Sequence, residues 1–351
     1  MSLRPVGAAI IGYGGVAQYH HQRWLRELPE FDLRGVWDIN PAKLVKAQQD
    51  GIAVYRSEAE LLADPAVELV VIAVPNDDHL PVSLRAMQAG KHVLCEKPVT
   101  LNSAELETAL AAARQAGVIF TVDQNRRWDG DFVTVRKAIE EGCLGDVYQI
   151  ESRVYGSRGI PGDWRQKKAR GGGMVLDWGI HLFDQAMLLA QTRRLTSVFA
   201  AFEYAWGGEC EDGFLARFTY EGGLTCLAEV RTNNYIPMPR WYVSGSAGTL
   251  LLRDWDDDAA VVRIKCEDAD ALPVAAASGV TKTMAPRSAG TIEQLCLPHR
   301  TPDVGDLFRH LYKAIRGLGP VDITGDQLRT TMRMTEAVFR SAQENRVITD
   351  V

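Results

Sequence analysis

Short apolar runs recur along the first third of the chain, each followed by a glycine, proline or acidic residue and then an amphipathic stretch. Val6 to Ile11 is the first, and it runs straight into Gly12-Tyr13-Gly14-Gly15-Val16-Ala17 and a helical stretch from Ala17 to Leu28. Leu33 to Trp37, Leu69 to Val74, Val93 to Cys95 and Val118 to Val122 follow the same pattern. Between them lie helix patterns over Ser57 to Ala63, Pro81 to Ala89 and Ser103 to Ala116, the last with Ser103 expected as cap and Gly117 as stop. Runs without alternation are buried on both faces, and strands alternating with helices predict a doubly wound parallel sheet. That domain is expected to cover residues 1–125.

Past Asn125 the period changes. After a helix around Phe132 to Glu141, the chain reads as strand after strand: Val147–Tyr155, Ser197–Ala205, Phe214–Tyr220, Leu224–Arg231, Arg240–Ser244, Gly248–Leu252 and Ala260–Lys265. Their turns carry Gly222-Gly223 and Gly245-Ser246-Ala247-Gly248. The fold class is therefore α/β: a Rossmann-type domain, then an α+β domain over residues 126–351 with a large, mostly antiparallel sheet. Gly179 to Leu189, Asp303 to Arg316 and Gln327 to Asn345 are the helices available to cover that sheet. Ala269 to Ala289 reads as a flexible excursion, and Met1-Ser2-Leu3 carries no fold information.

Composition narrows the class. The 351 residues are 46% hydrophobic and 24% charged with a formal net charge of −6, which points to neither nucleic acid nor membrane as a partner. No apolar run approaches a membrane span, and the N-terminus lacks the charged-then-apolar layout of a signal peptide. Cys95, Cys143, Cys210, Cys226, Cys266 and Cys296 are scattered without a C-x-x-C pair, as expected of free thiols in a reducing cytoplasm. No metal site is expected.

Two stretches carry candidate chemistry besides the glycines. Gly12, Gly14, Gly15 and Val16 sit between a strand and a helix, where backbone N–H groups can approach a pyrophosphate. Asp38 ends the second strand at the spacing that lets an acid accept hydrogen bonds from a ribose. Glu96-Lys97-Pro98 leaves a buried strand at its carboxyl end, where open α/β sheets bind ligands. Gly171-Gly172-Gly173 leads into Asp177-x-x-x-His181, one helical turn apart, and a carboxylate beside an imidazole can hold it and raise its pKa. A structural role, as cap and core histidine, is the alternative for that pair.

Taken together, Gly12-x-Gly14, Pro75-Asn76, Glu96-Lys97-Pro98, Asn125-Arg126-Arg127 and Asp177-x-x-x-His181 resemble the glucose–fructose oxidoreductase/inositol dehydrogenase (Gfo/Idh/MocA) family in order and spacing. The segment from Asn125 to Phe132 is most similar to the branch containing NADP-dependent scyllo-inositol dehydrogenases. The resemblance implies an NAD(P)-dependent dehydrogenase acting on a secondary hydroxyl of a cyclic polyol, inositol or sugar. Lys97, Asp177 and His181 would be its catalytic residues. Pro75, Asn76, His79, Glu96 and Lys97 would join the glycines, Val16 and Asp38 around the cofactor. Arg127, Tyr155, Trp164 and Arg165 are the substrate-binding candidates, with Arg126 and Arg153 beside them. Where that branch often has Ser-Arg, this chain has Trp37-Asp38, which favours NAD over NADP.

Two other classes share such a fold: a non-catalytic NAD(P)-binding regulator and a glycosidase that uses bound NAD. Retention of both Lys97 and His181 argues against the regulator. The exposed face expected of a large antiparallel sheet predicts a homodimer or homotetramer.

Overall fold

The computed structural model describes residues 4–267 and 272–351. Met1–Leu3 and the 269–271 part of the expected excursion lie outside the described residues. Five parallel strands, β1 (Val6–Ile11), β2 (Phe31–Trp37), β3 (Leu69–Ile72), β4 (His92–Cys95) and β5 (Phe120–Val122), pair in the order β2-β1-β3-β4-β5. The middle strand is thus β3, with the strand carrying Glu96-Lys97-Pro98 beside it. β1, β3, β4 and β5 are buried throughout apart from His92, which explains their unbroken apolar runs.

Helices α1 (Gln22–Glu27), α2 (Pro41–Gln49), α3 (Glu58–Ala63), α4 (His79–Gln88) and α5 (Ser103–Ala116) connect the strands, with a π-helical turn over Ala17–His21 opening the first. The cap of α5 is Asn102, whose side chain accepts from Glu105 N–H, and not Ser103. Ser103 is already helical, and its N–H and hydroxyl both donate to Glu336. Gly117 closes the helix in the left-handed region at φ 67°, where glycine is unstrained.

The second sheet has eight strands: β6 (Val147–Tyr155), β7 (Leu195–Glu203), β8 (Gly213–Tyr220), β9 (Thr225–Arg231), β10 (Trp241–Gly245), β11 (Gly248–Leu252), β12 (Ala259–Ile264) and an edge strand over Ile292–Leu297. Within the excursion lies a small hairpin, β13 (Val274–Ala276) with β14 (Gly279–Thr281), so the edge strand is β15. The order is β15-β12-β11-β10-β6-β9-β8-β7, antiparallel except for the β6–β9 pair. The alternating patterns did not reveal β15, because it lies at the edge and none of its residues is fully buried.

Alternation decides the two faces of this sheet. Ile150 and Val154 of β6, with Cys226, Ala228 and Val230 of β9, point into a core shared with α6 (Gly130–Glu140), α7 (Ile180–Ala190) and α9 (Gly325–Glu344). The residues between them, Glu151, Arg153 and Tyr155, face the other way, where Arg153 pairs with Glu151 and both Arg153 and Tyr155 bond Glu229. α8 (Gly305–Ile315) does not cover the sheet. Leu307, Phe308 and Leu311 join the core of the parallel domain, as do Ile323, Leu328 and Met332. Arg316 fixes that docking through two bonds to Glu68, 2.9 and 3.0 Å. Within 126–351, α8 and the first turns of α9 thus pack on the first domain, while β15 and the rest of α9 stay with the second sheet.

Candidate active site

The carboxyl ends of the parallel strands open onto a cleft of about 880 Å³ that runs from Asp38 and the glycine turn to His181. At the cofactor end the backbone makes the site. Gly12 holds φ 92°, and a Cβ there would lie 2.3 Å from the Ala73 carbonyl oxygen, so only glycine lets β1 turn beside β3. A Cβ on Gly14 or Gly15 would instead meet nothing within 4 Å, which leaves open space above the start of the helix. That space, backed by backbone N–H groups, fits a dinucleotide pyrophosphate.

Asp38 uses one carboxylate oxygen on the Tyr13 N–H at 2.6 Å and the other on the Asn40 N–H at 2.7 Å. It therefore shapes the turn while still lining the cleft. Ile39 is 87% exposed, and Lys43 faces the same end.

Val16, Pro75, Asn76, His79 and Glu96 also line the cleft. Two of them are tied into the protein itself. Asn76 donates to the Gly171 carbonyl at 2.8 Å, joining the parallel domain to the glycine-rich segment of the second. His79 is fully buried with Nδ1 2.7 Å from the Pro98 carbonyl and Nε2 3.0 Å from that of Val74. Burial pushes its pKa down.

The chemical end is made of side chains. Lys97, following β4 and preceding a cis Pro98, places Nζ 2.8 Å from both the Asp177 carbonyl oxygen and Asp177 Oδ1. An ammonium has three N–H groups, so one remains for a ligand. Burial opposes ionisation of Asp177, but the charge and hydrogen bond of Lys97 outweigh it, helped by Arg165 and Arg126, and its carboxyl lies below the usual range.

Asp177 therefore grips Lys97 and not His181, which corrects the expected carboxylate–imidazole pair. A π-helical turn over Val175–Gly179 precedes α7, so the residues are not stacked as on a regular α-helix. His181 instead places Nδ1 2.9 Å from Gln124 Oε1, while the Gln124 amide nitrogen reaches the Ile180 carbonyl at 3.4 Å. Because the Gln124 oxygen can only accept, His181 carries its proton on Nδ1 and leaves Nε2 with a free lone pair. Its pKa is not raised: burial, then the charges of Lys97 and Arg126, hold it well below 6.5.

The glycine run makes this meeting possible. Gly173 holds φ 101°, and a Cβ there would lie 2.2 Å from Glu211 Oε1, the oxygen that accepts from Val175 N–H at the start of the π turn.

Of the substrate-binding candidates, Trp164 and Arg165 line the cleft, and Arg127 and Tyr155 do not. Arg127 is turned inward to Asp184, with bonds of 2.7 and 2.6 Å, and to Gln327 at 3.1 Å. The three-residue period of the 3₁₀ turn Asn125–Trp128 sends neighbours in different directions, so Arg126 is the one that reaches the cleft. Its guanidinium lies 4.1 Å from the ring centre of Trp178, an aromatic wall. Tyr155 donates to Glu229 at 2.9 Å on the far face of the sheet, and Arg153 bonds Glu151 and Glu229 there.

Gln124 and Trp178 were not singled out from the sequence. The position of Gln124 just past the carboxyl end of β5 is the signal that could have found it.

Fold and cleft together define a two-domain, dinucleotide-binding oxidoreductase. Residues 6–124 match the family described as "Oxidoreductase family, NAD-binding Rossmann fold", and residues 132–251 match the "GFO/IDH/MocA C-terminal domain". The chain belongs to the Gfo/Idh/MocA oxidoreductase family. It is 29% identical to scyllo-inositol 2-dehydrogenase (NADP(+)) IolW of Bacillus subtilis over 98% of this chain and 95% of that one. It is 39% identical to an uncharacterized oxidoreductase of Schizosaccharomyces pombe, with 54% of this chain matching about half, 53%, of that relative's length. The crystal structure of an NAD-binding protein from Listeria innocua superposes with a TM-score of 0.95 at 38% identity, covering 99% of this chain and all of the other. All six cysteines are free, and among the described residues no helix is long and apolar enough to cross a membrane.

Proposed function

We propose that the protein is an NAD(P)-dependent dehydrogenase that moves a hydride between a secondary hydroxyl of a cyclic polyol, inositol or sugar and the nicotinamide. The observation that carries this reading is the single cleft that joins the glycine turn to Lys97 and the free Nε2 of His181. The named activity of the Bacillus relative supports the substrate class.

Gly12, Gly14, Gly15 and Val16 would hold the pyrophosphate, Asp38 the adenosine ribose, and Glu96 and Lys97 the nicotinamide half. When bound, the nicotinamide accepts the hydride. Oxidation of an alcohol also releases the hydroxyl proton, and a site that excludes water needs a side chain to take it. His181 is neutral at pH 7 and presents a lone pair for that proton. The remaining N–H of Lys97 stabilises negative charge on the alcohol oxygen, and Asp177 aims it. Trp164, Arg165, Arg126 and Trp178 supply the donors and aromatic wall that a hydroxyl-rich ring calls for.

Asp38 favours NAD, since a 2′-phosphate would bring negative charge beside a carboxylate. Lys43, which has no ion pair among the described residues, is the feature that favours NADP as the second reading. On the open sheet face Leu215, Leu227, Tyr242 and Leu251 stay only half-buried around the Glu151–Arg153–Glu229 ion pairs, which supports a homodimer or homotetramer packed through that face. A cytoplasmic location accords with the free thiols.

A panel of inositols, aldoses and sugar acids, assayed with each cofactor, tests the reading. Net reduction of free NAD or NADP by at least one cyclic polyol or sugar is expected. Sugar release without net cofactor reduction would replace it with the glycosidase, and tight cofactor binding without turnover would replace it with the regulator.

A further inference from the structure

Beside Lys97, four titratable side chains form a file that hydride transfer does not itself use. His20 and His21 come from the π turn after the glycines, Glu96 from the end of β4 and Asp123 from the end of β5. His21 Nε2 lies 2.7 Å from Glu96 Oε1 and 3.8 Å from Asp123 Oδ2. His20 Nε2 lies 3.2 Å from that same Asp123 oxygen. The side chains of His21 and Asp123 are wholly buried, whereas Glu96 opens onto the cleft and His20 is 19% exposed at the other end. Phe308 of α8 packs against both imidazoles, with ring centres 5.9 and 6.2 Å away, and Arg23 is the neighbouring cation. The file thus runs from the cleft through buried side chains to the partly exposed His20.

A buried carboxylate is costly unless paired. Burial opposes charge on His20, but the Asp123 carboxylate 3.2 Å away outweighs it and raises its pKa. Burial likewise opposes charge on Asp123, but His20, then His21 and Glu96, pull its pKa down. Both shifts favour the ion pair. Both Asp123 oxygens, His20 Nε2 and His21 Nδ1 nevertheless lack a well-aligned hydrogen bond, so no proton is locked into one pairing.

Such a set can also hold a cation, since one ligand atom from each of His20, His21 and Asp123 lies within 4.8 Å of the others. Ligands about 2.0–2.1 Å from a tetrahedral zinc sit roughly 3.3 Å apart. The 2.7 Å between His21 and Glu96 is a hydrogen-bond length instead. Shared protons fit the file better than a shared metal.

We propose that Glu96, His21, Asp123 and His20 form a proton relay that carries the proton of the oxidised alcohol from the cleft to solvent. This rests on the dehydrogenase reading above. The alcohol C–H bond breaks with its electron pair leaving as hydride to the nicotinamide, and the O–H proton goes to His181 Nε2. His181, with its depressed basicity, gives the proton up readily, and a water in the cleft passes it to the Glu96 carboxylate. Glu96 protonates His21 Nε2, and a small motion of that ring closes the 3.8 Å to Asp123 Oδ2, so that the same Nε2 proton passes on to the Asp123 carboxylate. His20 loses its Nδ1 proton to bulk water, and a turn of this partly exposed ring presents the bare nitrogen to Asp123, which reprotonates it. One proton reaches solvent, and the four groups return to their starting state.

The test is His20→Gln, at the partly exposed end, where the amide can still donate to Asp123 but cannot exchange protons. In weak buffer near pH 7, kcat for polyol oxidation should fall about tenfold, while KM for polyol and cofactor stay unchanged. Added imidazole should restore kcat, and the solvent isotope effect should grow as proton release becomes limiting. Asp123→Asn, checked for folding by circular dichroism, should show the same rescue. Wild-type kcat in His20→Gln, a loss that imidazole does not restore, or activity that depends on added zinc would each overturn the relay. A wild type that reduces no cofactor with any polyol would overturn the dehydrogenase reading and the relay together.

Discussion

The two ends of the cleft are built differently. The cofactor end is backbone: a left-handed Gly12 against Ala73, open space above Gly14 and Gly15, and Asp38 bonded to its own turn. The chemical end is side chain: Lys97, Asp177 and His181 come from two domains and meet only because Asn76 and the glycines at 171–173 bring the segments together. Changes at the first end should move affinity and cofactor choice. Changes at the second should move the rate of the chemical step.

The largest effect separates the ends most sharply. Lys97→Ala and His181→Ala should each lower kcat by about 10²–10⁴, with NAD affinity by calorimetry little changed. A loss of NAD affinity as large as the loss of kcat would break the comparison, because these side chains would then serve chiefly to hold the cofactor.

Next comes Arg127→Ala, which leaves Asp184 buried without its partner. Breaking a buried pair costs about 3–5 kcal/mol, so the melting temperature should drop while kcat in the folded enzyme stays close to wild type. If stability held and KM for the polyol rose instead, Arg127 would belong to the cleft after all.

Asp38→Ser should narrow the preference for NAD over NADP by about tenfold to a hundredfold, or roughly 1–3 kcal/mol, read as the ratio of kcat/KM values. An unchanged ratio would assign Asp38 to the turn alone and cofactor choice to Lys43.

The pH dependence sharpens the comparison further. The pKa of His181 is depressed in the folded protein, so the unfolded chain binds the extra proton first. Its contribution to stability is complete above the ordinary histidine value of 6.5 and is lost as pH falls towards the folded pKa. Polyol oxidation should accordingly be flat through neutrality and decline only below pH 6.5. Tyr155→Phe should do least, leaving kcat and KM within about twofold, because that hydroxyl meets Glu229 on the far face.

The same contrast explains what could be read from the sequence. β1, β6, α5 and β11 match the patterned stretches residue for residue, and the glycine turn, Asp38 and Glu96-Lys97 fall in the cleft as spacing requires. Backbone-built features leave a local record in glycines and apolar runs. Side-chain direction does not: Arg126 and Arg127 are adjacent and chemically identical, yet one lines the cleft and the other pins α7. Tyr155 was misplaced because alternation gives two faces without saying which one the cleft occupies. Gln124, which sets the tautomer of His181 from 57 residues away, is marked in the sequence only by its place just past the end of β5. α8 has the amphipathic stripe of a covering helix, and only packing tells which sheet it covers.

The central claim is that one cleft carries hydride transfer with His181 as base. It is tested most directly by single-turnover reduction of bound NAD with a polyol deuterated at the carbinol carbon, comparing wild type with His181→Ala. The account predicts a primary isotope effect in wild type and a rate lower by about 10²–10⁴ in the variant, with NAD bound equally in both. Reduction in the variant at the wild-type rate would contradict it.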